Sequence, residues 1–275
     1  MNFFLSGTHN KQPSLQPDII LKKLGQSIFT RNLIYHESLD STNTLAKELG
    51  EQEEPEGTLV LTEYQTAGRG RMGRDWFSRG YQNLLFSVLL RPHMPPNQIF
   101  VLTMILALAT MDATKSVCGL KLKIKWPNDL YVGRKKLGGI LTEFSVKGKE
   151  VEYAVLGLGL NVNWTPGEEE RLLYPATSIL TETGLRTSRN ELLISILKTF
   201  EKYYRKVLNG EIEGFYGRWN EHSLIIGRVV EIASGTKKIR GMACRIDRDG
   251  SLVIKDEKGK EQKIFSGDVY IKFGG

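Results

Sequence analysis

Residues 68–74 read Gly-Arg-Gly-Arg-Met-Gly-Arg, and residues 75–80 continue Asp-Trp-Phe-Ser-Arg-Gly. The glycines at positions 68, 70 and 73 have the G-x-G-x-x-G spacing of dinucleotide-binding α/β proteins. That motif requires a helix to begin directly after the glycines, so that backbone N–H groups point at a pyrophosphate. Here the next regular pattern is an apolar, strand-like run at residues 84–90. The stretch therefore excludes a Rossmann fold and predicts a loop between two strands.

The loop carries three arginines, Arg69, Arg71 and Arg74, among its glycines. A guanidinium group keeps its charge and offers a planar fork of donors that suits phosphate or carboxylate. The glycines allow the backbone to approach a ligand closely. We therefore predict that residues 68–74, called the glycine–arginine loop below, fold over an anionic intermediate. A solvated basic turn is the alternative interpretation.

Hydrophobic periodicity on both sides of the loop predicts the other elements. Strands are expected at residues 58–63, 84–90, 121–126, around 130, 137–144 and 151–162. Helices are expected at residues 17–24 before Gly25, at 42–49 between the N-cap Ser41 and Gly50, and at 97–117. Ser188 and Glu191 form a capping box that begins a further amphipathic helix.

The composition is that of an ordinary globular chain of one or two domains. Its 275 residues are 40% hydrophobic and carry a net charge of +7, which favours anionic ligands, acidic partners or nucleic acid without deciding among them. Cys118 and Cys244 lack the paired spacing of a disulfide framework or zinc knuckle. The longest apolar stretch, residues 99–111, is too short to span a membrane, and the amino terminus lacks the pattern of a signal peptide. We expect a cytoplasmic protein without membrane contact.

The pattern changes after Glu221 to five short strand candidates. Turns between them are expected at Ser234-Gly235, Asp249-Gly250, Gly259 and Ser266-Gly267. We therefore predict a small β-barrel from Ser223 onward. The expected domains are residues 1–222, of which 1–30 form an amino-terminal extension, and residues 223–275.

A second polar segment, Lys125-Trp126-Pro127-Asn128-Asp129, follows the strand predicted at 121–126. Turn chemistry alone explains a Pro-Asn-Asp sequence. Lys136, however, stands shortly before Gly138-Gly139, which leave room for a ligand beside a lysine that can balance phosphate charge. Gly157 and Gly159 leave a further strand bare, either for a flat ligand or for the packing of a neighbouring helix.

Together these segments resemble the biotin protein ligase family. The resemblance rests on Asp40-Ser41-Thr42-Asn43, Gln65, the glycine–arginine loop, the segment from Lys125 to Asp129, Lys136 with Gly139, and Asn161. It covers about residues 36–165, and the terminal barrel resembles the SH3-like carboxy-terminal domain of the same family. The resemblance implies an α+β fold, with a catalytic domain like that of class II aminoacyl-tRNA synthetases and a mixed β-sheet flanked by helices.

The resemblance also implies a ligase that makes biotinyl-5'-AMP from biotin and ATP and then transfers biotin to a specific lysine of a biotin carboxyl carrier domain. The catalytic residues that it implies are Arg71, Lys136 and Asp129. The biotin-binding residues that it implies are Ser41, Thr42, Asn43, Gln65, Gly68, Arg69, Gly70, Arg71, Lys136 and Gly139. The residues that it implies for binding ATP and the adenylate are Arg71, Arg74, Trp76, Asn128, Lys136 and Asn161. Biotin is the substrate, ATP and Mg²⁺ are the cofactors, and no metal site is expected from the protein alone.

The resemblance bears on partners and on competing functions too. Family members that double as repressors carry an amino-terminal winged helix, and the roughly 35 residues before Glu37 are too few for one, so no specific DNA binding is expected. Residues 151–162 are predicted to lie at an exposed sheet edge that supports a homodimer.

A lipoate-protein ligase, which is similar in fold and also makes an acyl-adenylate, is the competing enzyme. A nucleic-acid-binding protein is the competing class outside enzymes, suggested by the net charge and the arginines.

Overall fold

The computed structural model describes residues 14–165, 175–234 and 237–271, which form two β-sheets and six α-helices. The helices are α1 (Pro17–Leu24), α2 (Thr42–Glu51), α3 (Phe100–Cys118), α4 (Ile179–Thr183), α5 (Arg189–Leu208) and α6 (Glu213–His222). The strands are β1 (Leu33–Leu39), β2 (Leu59–Gln65), β3 (Asn83–Leu90), β4 (Lys123–Lys125), β5 (Asp129–Val132), β6 (Lys135–Lys147), β7 (Glu150–Asn161), β8 (Val229–Ser234), β9 (Lys237–Ile246), β10 (Leu252–Lys255), β11 (Glu261–Ile264) and β12 (Asp268–Ile271). Residues 1–13 of the predicted extension and the predicted turn residue Gly235 lie outside the described residues.

The larger sheet is mixed, as expected, with the strand order β1-β2-β3-β7-β6-β5-β4. β1 runs parallel to β2, and the other neighbouring pairs are antiparallel. β7 lies inside the sheet, because β3 pairs with it on one side and β6 on the other. The prediction that residues 151–162 form an exposed edge is therefore wrong, and it no longer supports a homodimer. The pattern of a sequence reports which faces of a strand are buried, not which strands flank it.

α3 and α5 pack over one face of this sheet. α3 is buried along most of its length, and its residues join strand residues such as Phe86 and Leu156 in the main core. Among the described residues, the helical stretch Pro96–Cys118 is long and apolar enough to cross a membrane, but 72% of its most apolar window is buried inside the protein. This is the buried helix that the sequence predicted. α5 begins as predicted, since the Glu191 N–H donates to the Ser188 hydroxyl (3.3 Å).

α2 covers only one end of the opposite face. Its residues Ala46 and Leu49 pack with Tyr153 and Val155 of β7. Gly50 lies inside α2, and a Cβ there would be 2.8 Å from the Tyr153 ring, so the prediction that Gly50 ends the helix is wrong. The glycine is needed instead for a close approach of the helix to the sheet. Beyond the first turn of α2, the same face holds the cavity described below.

The smaller sheet has five antiparallel strands in the order β11-β10-β9-β8-β12, in agreement with the predicted terminal barrel. It is joined to the larger sheet near β4. The Trp126 Nε1–H donates to the Gly250 carbonyl (2.9 Å), and the Leu224 N–H donates to the Ile124 carbonyl (2.7 Å). Because Trp126 is only 2% exposed, this contact is shielded from water and fixes the smaller sheet beside the segment that follows β4.

Three elements were not predicted from the sequence: β1, α4 and α6. β1 is an edge strand whose residues are all partly or fully exposed, so its sequence lacks the alternation of a half-buried strand. α4 has only five residues, and α6 contains Gly214 and Gly217, which lower helix propensity.

Candidate active site

A cavity of ≈ 760 Å³ opens on the face of the larger sheet that α2 only partly covers. All the predicted site residues except Gly68 line it: Ser41, Thr42, Asn43, Gln65, Arg69, Gly70, Arg71, Arg74, Trp76, Asn128, Asp129, Lys136, Gly139 and Asn161. Gly68 lies behind the wall, where its carbonyl accepts a hydrogen bond from the Trp76 N–H (2.8 Å) and a Cβ would meet the Trp76 carbonyl oxygen at 2.5 Å. The fold thus brings together segments that are up to 120 residues apart in the sequence.

One end of the cavity is lined by uncharged hydrogen-bonding side chains, and the Arg69–Glu143 ion pair lies beside them. Gln65 Oε1 accepts hydrogen bonds from the Thr42 N–H (2.8 Å) and the Thr42 hydroxyl (3.1 Å). Ser87, which the sequence did not single out, lies with its hydroxyl 2.7 Å from Thr42 Oγ1 and 2.6 Å from Asn43 Oδ1. Ser41 stands at the N-cap position of α2, but its side chain makes no capping hydrogen bond, so that part of its predicted role is wrong. Helix capping therefore does not occupy the Ser41 hydroxyl.

The other end of the cavity is positively charged. Lys136 Nζ lies 2.7 Å from Asp129 Oδ1, and both side chains are largely buried. The pair lies directly beside Gly139, where a Cβ would be 3.3 Å from Asp129 Oδ1 and 3.5 Å from Lys136 Nζ. Arg71 approaches from the loop; burial lowers the pKa of its guanidinium, while the carboxylates of Asp129 and Asp268 raise it.

Between the two ends, the Trp76 indole lies against the sheet. A Cβ on Gly159 would meet this ring at 2.4 Å, and one on Gly157 would meet Asn43 Oδ1 at 1.9 Å. Gly157 therefore accommodates Asn43 of α2, as the interpretation of a neighbouring helix expected, whereas Gly159 accommodates the Trp76 ring. Trp76 Nε1 is buried and has no hydrogen-bond partner among the described residues.

The two outer arginines of the glycine–arginine loop form ion pairs with the protein. Arg69 Nη2 lies 2.9 Å from Glu143 Oε2 on β6. Arg74 donates to both carboxylate oxygens of Asp268 on β12. The sequence predicted neither carboxylate as a partner. Both arginines also line the cavity, and their roles toward biotin and the adenylate stay predictions.

Asn128, in the turn before β5, and Asn161, at the end of β7, support the wall of the cavity. Asn128 Nδ2 donates to the Ile140 carbonyl (2.6 Å). Asn161 Oδ1 accepts from Asn83 Nδ2 (2.7 Å), and Asn161 Nδ2 donates to the Thr177 carbonyl (2.9 Å). These bonds hold neighbouring segments in place, and the predicted contacts of both asparagines with the adenylate remain untested.

The smaller sheet supplies wall residues that the sequence did not indicate: Gly267, Asp268 and Val269. They lie more than 90 residues beyond Ala176, the lining residue that precedes them in the chain, and the turn predicted at Ser266-Gly267 gave no indication of a role in the cavity. Lys125, in contrast, stands in the segment that was singled out but was given no role. It lines the cavity, and burial lowers the pKa of its ammonium group.

Comparison with known families agrees with this fold and site. Residues 35–161 match the model of the biotin/lipoate A/B protein ligase family, and residues 225–272 match the model of the biotin protein ligase C terminal domain. Similarity to individual relatives extends over as much as 90% of the chain. The chain therefore belongs to the biotin/lipoate A/B protein ligase family.

Two relatives narrow the class further. The chain is 35% identical to the bifunctional ligase/repressor BirA of Bacillus subtilis (strain 168), over 90% of this chain and 76% of the relative. It is 31% identical to a biotin--[acetyl-CoA-carboxylase] ligase of Paracoccus denitrificans, over 78% of this chain and 90% of the relative. The enzyme is accordingly a biotin protein ligase.

Solved structures give the same result. A biotin protein ligase from Aquifex aeolicus, in complex with biotin and ATP, superimposes with a TM-score of 0.75 at 30% identity and covers 89% of this chain and 100% of its own. A second structure of the Aquifex aeolicus enzyme has a TM-score of 0.72 at 27% identity, covering 88% of this chain and 99% of its own. The mixed sheet, its helices and the terminal SH3-like domain are thus those of the biotin ligase fold.

Proposed function

We propose that this enzyme makes biotinyl-5'-AMP from biotin and Mg²⁺-bound ATP and then transfers biotin to a lysine of a biotin carboxyl carrier domain. In the first step a carboxylate oxygen of biotin attacks the α-phosphorus of ATP, and pyrophosphate leaves. In the second step the neutral amine of the lysine attacks the acyl carbon, the amine loses a proton, and AMP leaves. The name of the Paracoccus denitrificans relative supports a carboxylase as the source of the acceptor.

The observation that carries this proposal is the division of the cavity into a neutral and a cationic end. Biotin has an uncharged ureido ring at one end and a carboxylate at the other. Thr42, Asn43 and Gln65 are each at most 9% exposed, and they offer donors and acceptors that suit a ureido group. A ligand whose own polar groups found no partner in this wall would lose about 1–3 kcal/mol for each such group, so a ligand with matching groups is favoured. The dithiolane ring of lipoate has no such groups, which favours biotin over lipoate.

The cationic end fits the chemistry of adenylation. An anionic carboxylate and an anionic triphosphate repel one another, and fixed cations stabilise the charge that develops as they react. Arg71, Lys125 and Lys136 all line the cavity at this end. Lys136 is held by Asp129 (2.7 Å), so its ammonium group is already oriented before a ligand enters. We assign Arg71 and Lys136 to the phosphate and to the carboxyl end of biotin.

The residues present are compatible with Mg²⁺ that enters bound to ATP. The described part of the chain contains no group of three or more His, Cys, Asp or Glu side chains that could hold a metal ion. Asp129 and Asp268 already pair with Lys136 and Arg74. Phosphate oxygens and water are the ligands that Mg²⁺ commonly keeps in nucleotide sites, where it neutralises the charge of the triphosphate.

Pyrophosphate release from Mg-ATP tests this function, measured with biotin and, separately, with lipoate. The parent enzyme is expected to release pyrophosphate with biotin, and Lys136→Ala to reduce the rate by about 100-fold or more, because it removes a fixed charge from the transition state. Lys147→Ala is the matched control, since Lys147 lies on the same strand, is 80% exposed and is outside the cavity. Release with lipoate alone, or with neither acid, would refute the proposal.

A further inference from the structure

We propose that Glu143 and Asp268 anchor the two ends of the glycine–arginine loop, so that Arg69 and Arg74 serve mainly to position it and Arg71 is its ligand-binding arginine. Both carboxylates are positioning residues, since they act through the loop. The assignment of Arg71 rests on the proposed function, whereas the two anchors concern the loop itself.

Glu143 anchors the first end of the loop. It lies on β6 beside the cavity, and its side chain is 22% exposed. Its Oε2 accepts hydrogen bonds from Arg69 Nη2 (2.9 Å) and Asn43 Nδ2 (3.0 Å), while its Oε1 accepts from Lys47 Nζ (3.1 Å). Burial raises the pKa of this carboxyl, but the hydrogen bonds and cations around it outweigh burial and lower it. An ionised Glu143 therefore joins the loop to the first turns of α2.

Asp268 anchors the other end. Arg74 Nη1 and Nη2 donate to the two carboxylate oxygens of Asp268, which is the two-pronged geometry that makes arginine–carboxylate pairs specific. The side chains of Arg74 and Asp268 are 34% and 20% exposed, so water screens the pair only in part. Since Asp268 begins β12, this anchor joins the loop to the smaller sheet.

Arg71 stands between the anchors without an ion pair of its own among the described residues. Its nearest polar contact is the Ser266 hydroxyl, 3.5 Å from Nη2. The backbone around it is closed on itself, since the Gly70 N–H donates to the Arg74 carbonyl (2.7 Å) and residues 69 and 75 form a β-bridge. Fixing both ends of a loop reduces the conformational entropy that its centre loses on meeting a ligand. Arg71 is thus the arginine whose charge is left for a phosphate.

Amide hydrogen exchange in the ligand-free, full-length protein tests the anchors. In Glu143→Gln and in Asp268→Asn, we expect amides of residues 68–76 to exchange about two- to five-fold faster, the range expected for loss of a partly exposed ion pair. Exchange elsewhere should stay as in the parent. Glu143→Gln keeps an oxygen that can accept the Asn43 hydrogen bond, so it separates the anchor from the neutral end of the cavity.

Glu152→Gln and Glu257→Gln are the matched controls. Glu152 lies on the β6–β7 hairpin, its side chain 35% exposed, and Glu257 lies in the smaller sheet's domain, its side chain 85% exposed; neither contacts the loop. Both should exchange like the parent. A double-mutant cycle adds a second readout: Arg69→Ala combined with Glu143→Gln should exchange no faster than the faster of the two single variants.

Two results would overturn the anchors: unchanged exchange of residues 68–76 in both variants, or acceleration spread over the whole chain, which would indicate lost stability alone. Pyrophosphate release then tests Arg71. The two anchor variants should raise the KM for ATP several-fold and keep most of kcat, whereas Arg71→Ala should lower kcat. A parent enzyme without biotin-dependent release would remove the proposed function, while the exchange data would still decide the anchors.

Discussion

Replacing Gly157 with alanine is expected to weaken biotin binding by displacing Asn43. The new Cβ would lie 1.9 Å from Asn43 Oδ1, about 1.5 Å short of the 3.4 Å at which ordinary contact begins. The Asn43 amide makes hydrogen bonds with Ser87 (2.6 Å), the Leu141 carbonyl (3.2 Å) and Glu143 (3.0 Å). Losing these three bonds should lower the free energy of unfolding by about 3 kcal/mol, at roughly 1 kcal/mol each. If Asn43 binds biotin as proposed, its displacement should raise the Kd for biotin by about 10- to 100-fold.

Isothermal titration calorimetry with biotin and unfolding in urea measure the two effects. Gly217→Ala is the control, because a Cβ at this helical position has nothing within 4 Å. It should leave the Kd unchanged and stabilise the protein by up to about 1 kcal/mol. Adding Asn43→Ala to Gly157→Ala removes the overlap but also removes the three hydrogen bonds of the Asn43 amide, so the double variant should remain destabilised and should not regain biotin affinity. Parent-like biotin affinity in Gly157→Ala would refute the reasoning.

Three further outcomes are expected. Asp129→Asn should slow the transfer of biotin from preformed adenylate more than pyrophosphate release, because the asparagine cannot orient or accept the proton of the incoming amine; the opposite order would contradict this role. Trp126→Phe should lower the free energy of unfolding in urea by about 1 kcal/mol more than Trp219→Phe, since Trp126 donates to the Gly250 carbonyl whereas the buried Trp219 Nε1 has no partner among the described residues. Burial raises the pKa of Glu201, but its hydrogen bonds outweigh burial and lower it below 4.5, so a stabilising contribution is present near neutral pH and is lost as pH falls through the lowered pKa. The difference in thermal stability between the parent and Glu201→Gln should therefore shrink in acid, and a constant difference would contradict this assignment.

The sequence predicted the elements whose cause is local. α3 was recognisable because a long apolar run of residues favours a helix buried in the core. The start of α5 was recognisable because Ser188 and Glu191 have the three-residue spacing of a capping box. The glycine–arginine loop was recognisable from the strands on either side of it. β1 was missed because an exposed edge strand has no apolar alternation to detect.

The candidate site was predicted where short motifs carry it and missed where distant residues complete it. Thr42 and Lys136 were found within recognisable segments. Ser87, Glu143 and Asp268 were not, because each acts through a partner that lies 44 or more residues away in the sequence. The position of β7 was wrong for the same reason, since strand order depends on pairing between segments that are remote in the chain.

The wall contributed by residues 267–269 has a consequence for biosynthesis. Among the described residues, these are the last of the cavity-lining residues to be added to the growing chain, after the strands of the larger sheet and the loop arginines have been translated. A nascent chain can therefore assemble the sheet and the neutral end of the cavity before its cationic end is closed. Competence for ligation should arise only once β12 has left the ribosome, so that an incompletely translated chain holds an open pocket and cannot fasten the loop at its second end.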